Sequence, residues 1–349
     1  MSSGNRSLSR ASRHADGVVQ LPHAKGKRSR LGLRVLMISP QPFFRARGTP
    51  FSILHRIRGL VAAGHSVDLL TYPFGRDIPV PELRVIRCQR PPFVRDVRVG
   101  PSVAKVSLDI SLYKLAKRTL REGHYDIVHS HEESAFFGVR LAKRYGLFHV
   151  YDMHSSLPQQ LGNFGAYNWA PFRALFSGLE RHALANSDGV ITVCPDLAEL
   201  VEKICPSQVH ALIENTADDT RVFAPAEIDM RERWGLADKK IVLYTGTLEA
   251  YQGIDLLIAA MPDLLRQMAD VHLLIVGGRP EQIEHFRRLA IHSRAESAIT
   301  FAGTQPPADM PAYAAAADVI VSPRSDGTNT PGKIYGYMRS GRPLVETDL

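Results

Sequence analysis

A lysine near the start of a helix is an odd place for a cation unless something negative is to be held there. Lys333 lies two residues after Pro331 in the stretch Ser322-Pro-Arg-Ser-Asp-Gly-Thr-Asn-Thr-Pro-Gly-Lys-Ile-Tyr-Gly-Tyr-Met-Arg-Ser-Gly-Arg-Pro343, which follows an apolar run, Asp318 to Val321, that reads as a buried strand. Thr330 can cap a short helix and Pro331 can take its first position, where the missing N–H is harmless. Gly341 and Pro343 end it. Free backbone N–H groups and the positive end of the helix dipole meet at such a start, which suits an anion. An exposed lysine there costs the helix about 0.3–1 kcal/mol. Gly336, about 1 kcal/mol worse than alanine inside a helix, falls on the same face as Lys333. A solvated lysine above a packing glycine would read the same way.

Histidines form the second chemical group. Tyr125-Asp-Ile-Val-His-Ser-His-Glu-Glu133 reads as a strand ending in two histidines and two acids, and Phe148-His-Val-Tyr-Asp-Met-His154 as a strand that brings a third histidine to the same edge. Alternation points His129 and His131 the same way. General bases, hydrogen-bond donors to a substrate and metal ligands all remain open; the spacing lacks a paired ligand motif on one helix, and no metal is expected.

The elements that position these groups alternate. Leu33 to Ser39 is a strand, Pro40 to Pro50 a loop with Arg45, Arg47 and Gly48, Phe51 to Ala63 a helix, and Val67 to Thr71 a second strand. A doubly wound sheet begins this way and binds its ligands beyond the carboxyl ends of its strands. Gly48 could let backbone approach a phosphate, or mark an ordinary turn. Residues 103–121 read as a helix with apolar Val106, Ile110, Tyr113 and Leu120 and bases at Lys105, Lys114, Lys117, Arg118 and Arg121, a pattern compatible with an anionic membrane surface or with plain solvation. Gly189 to Cys194 and Val209 to Ile213 close the first sheet, and Asn215 to Pro225 reads as a linker. The pattern restarts with strands at Lys240 to Gly246, Val271 to Val276 and Ile299 to Ala302, the helix Ile254 to Met268, and Gly277, Gly278 and Gly303 at strand ends. Neither half carries a Gly-x-Gly-x-x-Gly fingerprint.

The expected division is a disordered basic tail over 1–31, a first domain over 32–215 and a second over 216–349. A chain of 349 residues suits two cores. Residues 1–220 hold 29 Lys and Arg against 19 Asp and Glu, and 221–349 hold 14 against 16, so the basic field belongs to the first half. Cys88, Cys194 and Cys205 lack metal or disulfide spacing and read as reduced thiols of a cytoplasmic protein. No apolar run is long enough to span a membrane.

In order and spacing, several segments resemble the GT-B fold of retaining glycosyltransferases, in particular family 4. They are Tyr125 to His131, Ile213-Glu-Asn-Thr216, Leu243-Tyr-Thr-Gly-Thr-Leu-Glu-Ala-Tyr-Gln-Gly253, Phe301-Ala-Gly303, Met310 to Pro323, and Tyr337 to Val345. The resemblance implies two Rossmann-like domains facing a cleft, and transfer of a sugar with retention from a nucleotide-diphospho-sugar to a glycolipid or polysaccharide, without a required metal or other cofactor. It places His131 against the donor sugar and Lys333 at the diphosphate as the catalytic pair, with His129, Glu132 and His154 on the acceptor side. Gly48 and Thr49 would face the diphosphate, joined by Thr247, Gln252, Asn329 and Thr330. Gly278 and Gly303 would lie near the nucleoside. No nucleic-acid partner is expected, and the protein would work in the cytoplasm or peripherally on the inner face of a membrane.

Three departures from the family pattern stand out. Thr247 and Gln252 occupy positions where members usually carry Arg and Lys, and Thr328 and Gly336 positions where they carry Glu. The Tyr244-Thr-Gly-Thr247 and Asn329-Thr-Pro-Gly-Lys-Ile-Tyr335 wording is similar to that of a subgroup, which argues for a coherent variant. The chain also stops at Leu349, where members continue with further helices, so the second domain is expected to be incomplete. A nucleotide-sugar epimerase or phosphorylase-like enzyme of the same fold, and a non-catalytic glycosyltransferase-like binding subunit, are the alternatives.

Overall fold

The computed structural model describes residues 32–45, 48–97, 102–156, 158, 170–215, 228–325 and 331–347. The tail over 1–31 and the linker beyond Asn215 therefore lie outside the described residues, as do Asp326, Thr328, Asn329 and Thr330. The strands are β1 (Arg34–Ser39), β2 (Ser66–Thr71), β3 (Leu83–Arg87), β4 (Ile127–His131), β5 (Phe148–Met153), β6 (Gly189–Thr192), β7 (His210–Leu212), β8 (Lys240–Thr245), β9 (Val271–Val276), β10 (Ile299–Gly303), β11 (Val319–Ser322) and β12 (Leu344–Glu346). They form two parallel sheets, ordered β3-β2-β1-β4-β5-β6-β7 and β10-β9-β8-β11-β12. β3 was not anticipated from the sequence: Leu83-Arg-Val-Ile-Arg87 is short and half polar, as suits the edge strand that it is.

Both faces of each sheet are covered, so the central strands are apolar throughout. Leu36 and Ile38 of β1 enter one core and Val35 and Met37 the other. In the second sheet Tyr244, Leu273 and Ile275 face one core, and Leu243, Leu274 and Val276 the other. Sheets wound in both directions change direction at one point, between β1 and β4 in the first and between β8 and β11 in the second. There the loops beyond the carboxyl ends diverge and leave a crevice for ligands.

Three helical elements depart from the sequence reading. Helix α1 (Gly48–Ala62) starts earlier than expected, so Gly48 and Thr49 belong to its first turn and not to the preceding loop. Helix α2 (Val103–Glu122), capped by Ser102 through its hydroxyl, buries Leu108, Leu112, Leu115, Ala116 and Leu120. Val106, Ile110 and Tyr113, expected on its apolar side, are 59%, 53% and 38% exposed. The helix has two apolar stripes, and the one with four successive large side chains faces the sheet. Finally, the last helix spans Lys333–Arg339 and starts two residues later than Pro331, with Gly332 at its N-cap. Gly336 is exposed there, with open space where a Cβ would stand.

Glycine is required at two places near the carboxyl edge of the second sheet, one after β9 and one at the start of the helix that follows β8. Gly277 has φ +121°, and a Cβ on it would lie 1.9 Å from the Gly246 carbonyl oxygen. Gly253, at φ +67°, is pressed equally close to the Pro323 carbonyl. The loops after β8, β9 and β11 thus touch backbone to backbone. Gly277→Ala should strain this junction by at least about 1–3 kcal/mol, seen as a lower urea midpoint for the cooperative unfolding of the second domain.

Candidate active site

At the switch point of the second sheet, Lys333 extends its ammonium to 3.1 Å from Gln252 Oε1. It also lies 4.1 Å above the centroid of the Tyr244 ring. The Tyr244 hydroxyl donates to the Thr247 carbonyl at 2.6 Å and lies 3.1 Å from the same Gln252 oxygen. Lys333, Thr247 and Gln252, singled out from the sequence, are therefore one cluster, although Lys333 and Gln252 are 81 residues apart. Gly278 and Gly303 adjoin the same sheet edge: Gly277 donates to Gly303 O at 2.7 Å, and Thr304 Oγ1 to Gly278 O at 3.0 Å. Tyr337, which the sequence reading did not single out, anchors the last helix. Its hydroxyl receives the Thr245 N–H at 3.0 Å and approaches the Thr245 carbonyl at 2.9 Å.

Lys333 is the second domain's electrostatic oddity. Burial, with the nearby Arg324 charge, pulls its pKa down to about 7, and Glu346 only partly opposes this. An ammonium on an aromatic face and one amide oxygen is poorly compensated for the water it has lost.

The first sheet gathers its titratable groups at the ends of β4 and β5. Asp152, fully buried, receives Arg56 Nε at 3.0 Å and His129 Nε2 at 3.2 Å, both on Oδ2. His154 Nε2 lies 3.3 Å from Oδ1 of Asp152 and 3.1 Å from His131 Nδ1. His129 and His131 stack with centroids 4.8 Å apart, as their two-residue spacing on one strand face requires. Burial would raise the Asp152 carboxyl, but the imidazoles around it, His154 first, hold it well below the carboxylate range. Burial drives His131 well below the imidazole range and lowers His154 too. His131 Nε2 is buried without a hydrogen-bond partner.

Three ligating atoms, from His129, His131 and Asp152, lie within 4.8 Å of one another. The carboxylate oxygen they share is taken by the Arg56 guanidinium, whose charge repels a cation. Beside this group, Glu132 accepts from Ser155 Oγ at 2.7 Å and is raised to about 7, first by burial and then by Glu133. Glu133 pairs with Lys105 at 2.5 Å, and Asp109, itself raised to about 7 by burial, accepts from the Tyr72 hydroxyl at 2.5 Å. Lys105, expected on a basic outer face, points inward instead. Arg45 pairs with Asp96 at 2.7 Å and covers the Phe74 ring. Arg56, Asp152, Asp109 and Tyr72 were missed because each looks like an ordinary helix or strand residue; the placement of Asp152 two residues before His154 was the available signal.

Lys333 gives a signed prediction. Its ordinary value is 10.5 and its folded value about 7, so between these pH values the unfolded chain holds a proton that the folded one does not. Stability from this residue therefore rises with pH across that window. Lys333→Met should stabilise the ligand-free protein near pH 7 to 8, with the gain shrinking toward pH 10, as followed by urea unfolding at each pH.

Residues 46–221 match the family model described as Glycosyltransferase Family 4, and residues 239–349 match the one described as Glycosyl transferases group 1. Among curated proteins, the GDP-mannose-dependent alpha-(1-6)-phosphatidylinositol monomannoside mannosyltransferase of Mycolicibacterium smegmatis is 36% identical over 136 residues, 36% of this chain and 35% of that protein. The chain thus aligns to about a third of that relative's length. The phosphatidyl-myo-inositol mannosyltransferase of Mycobacterium tuberculosis is 26% identical over 324 residues, 91% of this chain and 78% of that protein. Among solved structures, the sucrose-phosphate synthase of Thermosynechococcus elongatus superposes with a TM-score of 0.71 at 24% identity, covering 90% of this chain and 81% of its own. Two parallel α/β domains in this order, matched by both models, place the chain in glycosyltransferase family 4, with the GT-B fold.

Proposed function

We propose that the protein moves a sugar, with retention of configuration, from a nucleotide-diphospho-sugar to a glycolipid acceptor. The observation that carries this reading is the convergence of Lys333, Gln252 and Thr247 at the switch point of the second sheet. Two similar proteins are mannosyltransferases of phosphatidylinositol lipids, one of them named for GDP-mannose; this supports a nucleotide-linked mannose as the first donor to try.

As the sugar leaves, positive charge develops on it and negative charge on the diphosphate, so preorganised donors at the departing oxygen lower the barrier. Family members usually supply an Arg and a Lys from the loop after the first strand of this domain. Here that loop offers Thr247 and Gln252, and the ammonium reaches the Gln252 side chain from another helix. A cation carried on another helix thus reaches the loop where members usually carry a lysine. Its depressed pKa makes it responsive: a diphosphate arriving nearby favours the ammonium, so binding above pH 7 should take up a proton. No metal or other cofactor enters this reading. His131 would bear on the transferred sugar from the first domain, with His129, Glu132 and His154 behind it.

Helix α2 supports an acceptor presented at a membrane. Val103, Val106, Ile110 and Tyr113 are exposed along one side, near Lys114, Lys117, Arg118 and Arg121. Among the described residues no helix is long and apolar enough to cross a membrane. We place the protein peripherally on an anionic, cytoplasmic bilayer face.

Transfer of labelled mannose from GDP-mannose to phosphatidylinositol-containing vesicles tests the reaction; no transfer from any nucleotide sugar to lipid or glycan would reject it. In calorimetry at pH 8, the enthalpy of nucleoside diphosphate binding should vary with the buffer's ionisation enthalpy, reporting uptake approaching one proton. Lys333→Ala should abolish that uptake and weaken binding about 10- to 100-fold, the worth of a charge-assisted contact of about 1.5–3 kcal/mol. Vesicles rich in anionic lipid should cosediment the protein at low salt and release it at high salt, and Val106→Glu with Ile110→Glu should abolish the binding without unfolding the protein.

A further inference from the structure

The contact between His131 Nδ1 and His154 Nε2, 3.1 Å long and fully buried, can be made in two ways. Either His154 donates its Nε2 proton to a bare His131 Nδ1, or His131 donates and His154 accepts. The choice fixes what His131 offers at its other nitrogen, because a neutral imidazole carries one proton. Asp152 decides between them. Its Oδ1 lies 3.3 Å from His154 Nε2 without an in-line bond, whereas its Oδ2 lies 3.8 Å from His131 Nδ1, beyond hydrogen-bond range. Oδ2 is already engaged by Arg56 Nε and His129 Nε2. A bare nitrogen on His154 would turn its lone pair toward an ionised carboxylate oxygen at a buried position. A proton there lies beside the negative charge and still points at His131.

We infer that Asp152, held by Arg56 and acting through His154, positions His131 in the tautomer with its proton on Nε2, so that His131 presents a hydrogen-bond donor and not a base. Asp152 and His154 are positioning residues; of the imidazole nitrogens in this group it is the Nε2 of His131 that is left buried without a partner. Two observations agree. His131 Nε2 is the ring atom left buried without a partner, and an unpaired buried N–H is a cost that a ligand oxygen accepting from it would remove. Burial also pulls the pKa values of His131 and His154 down, which disfavours the second proton that would erase the distinction. The inference rests on the reading of His131 as facing the transferred sugar: an N–H there suits a sugar hydroxyl or ring oxygen as acceptor, and retention asks no base of this residue.

The wild-type protein, labelled with nitrogen-15 in its histidines, tests this directly. Long-range proton–nitrogen correlation spectra distinguish a protonated from a bare ring nitrogen, and the His131 signals are identified by their loss in His131→Asn. The expected result is a protonated Nε2 and a bare Nδ1; the reverse pattern, or an even mixture, overturns the proposal. His154→Gln keeps an N–H near the position of the imidazole Nε2, and should preserve the tautomer and most of kcat. His154→Phe should give a mixed His131 tautomer and a kcat lowered at least 10-fold, with the KM for donor nearly unchanged. A His131 tautomer indifferent to His154→Phe would also overturn it. Should the expected tautomer be found while His131→Ala transfers sugar at the wild-type rate, the relay stands and the placement of His131 against the sugar fails instead.

Discussion

In a sheet whose strands all run one way, every strand hands its final residues to the same edge, and this chain uses that constraint twice. Crossovers return the polypeptide beneath the sheet, so each carboxyl end is followed by a loop at the shared edge. His131 ends β4, and Asp152 and His154 lie at the end of β5. Thr247 and Gln252 follow β8, and the helix carrying Lys333 follows β11. Residues far apart in the chain are brought within hydrogen-bond distance because the topology leaves them nowhere else to go.

The two clusters so formed treat charge in opposite ways. Asp152 is deeply buried and stays ionised because guanidinium and imidazole donors surround it, the condition under which a buried carboxylate is tolerated. Breaking that set would strand a charge, which fits a group whose task is to hold other side chains still. Lys333 has lost its water without gaining an anion, and its proton affinity has fallen accordingly. A poorly compensated ammonium is poised to respond to an anion that reaches this sheet edge, and Gly336, three residues further along the same helix, is exposed with open space where a Cβ would stand.

The departures from the family pattern also form a consistent set. With Gln252 in place of a lysine, the site would lack its usual cation on that loop; Lys333 brings one to 3.1 Å from the Gln252 oxygen. Tyr244 supplies the surface on which it rests, and Tyr337 ties the helix that carries it to the end of β8. On the proposed reading, these contacts fit a rearranged donor site better than a decayed one.

Much of this was legible in the residues. Apolar runs ending in glycine or histidine, alternating with amphipathic stretches, determined two parallel sheets and their carboxyl edges, because strand and helix periodicity is a local property; the family was legible only through the resemblance of motifs such as Leu243 to Gly253 in their order. The same reasoning gathered His129, His131 and His154 at one edge and named Lys333. It misplaced the start of the last helix, singled out Val106, Ile110 and Tyr113 as apolar positions of α2 without naming Leu108, Leu112 and Leu115, which are the ones buried, and turned Lys105 outward, since a helix with two apolar stripes does not say which will meet the sheet. Only the tertiary structure decided that Asp152, bonded to Arg56 across 96 residues, is the hub of the first cluster, which nitrogen of His131 is left without a partner, and that Lys333 lies on Tyr244. Those outcomes depend on packing between distant segments and on the loss of water there, and neither is written in any local pattern of the chain.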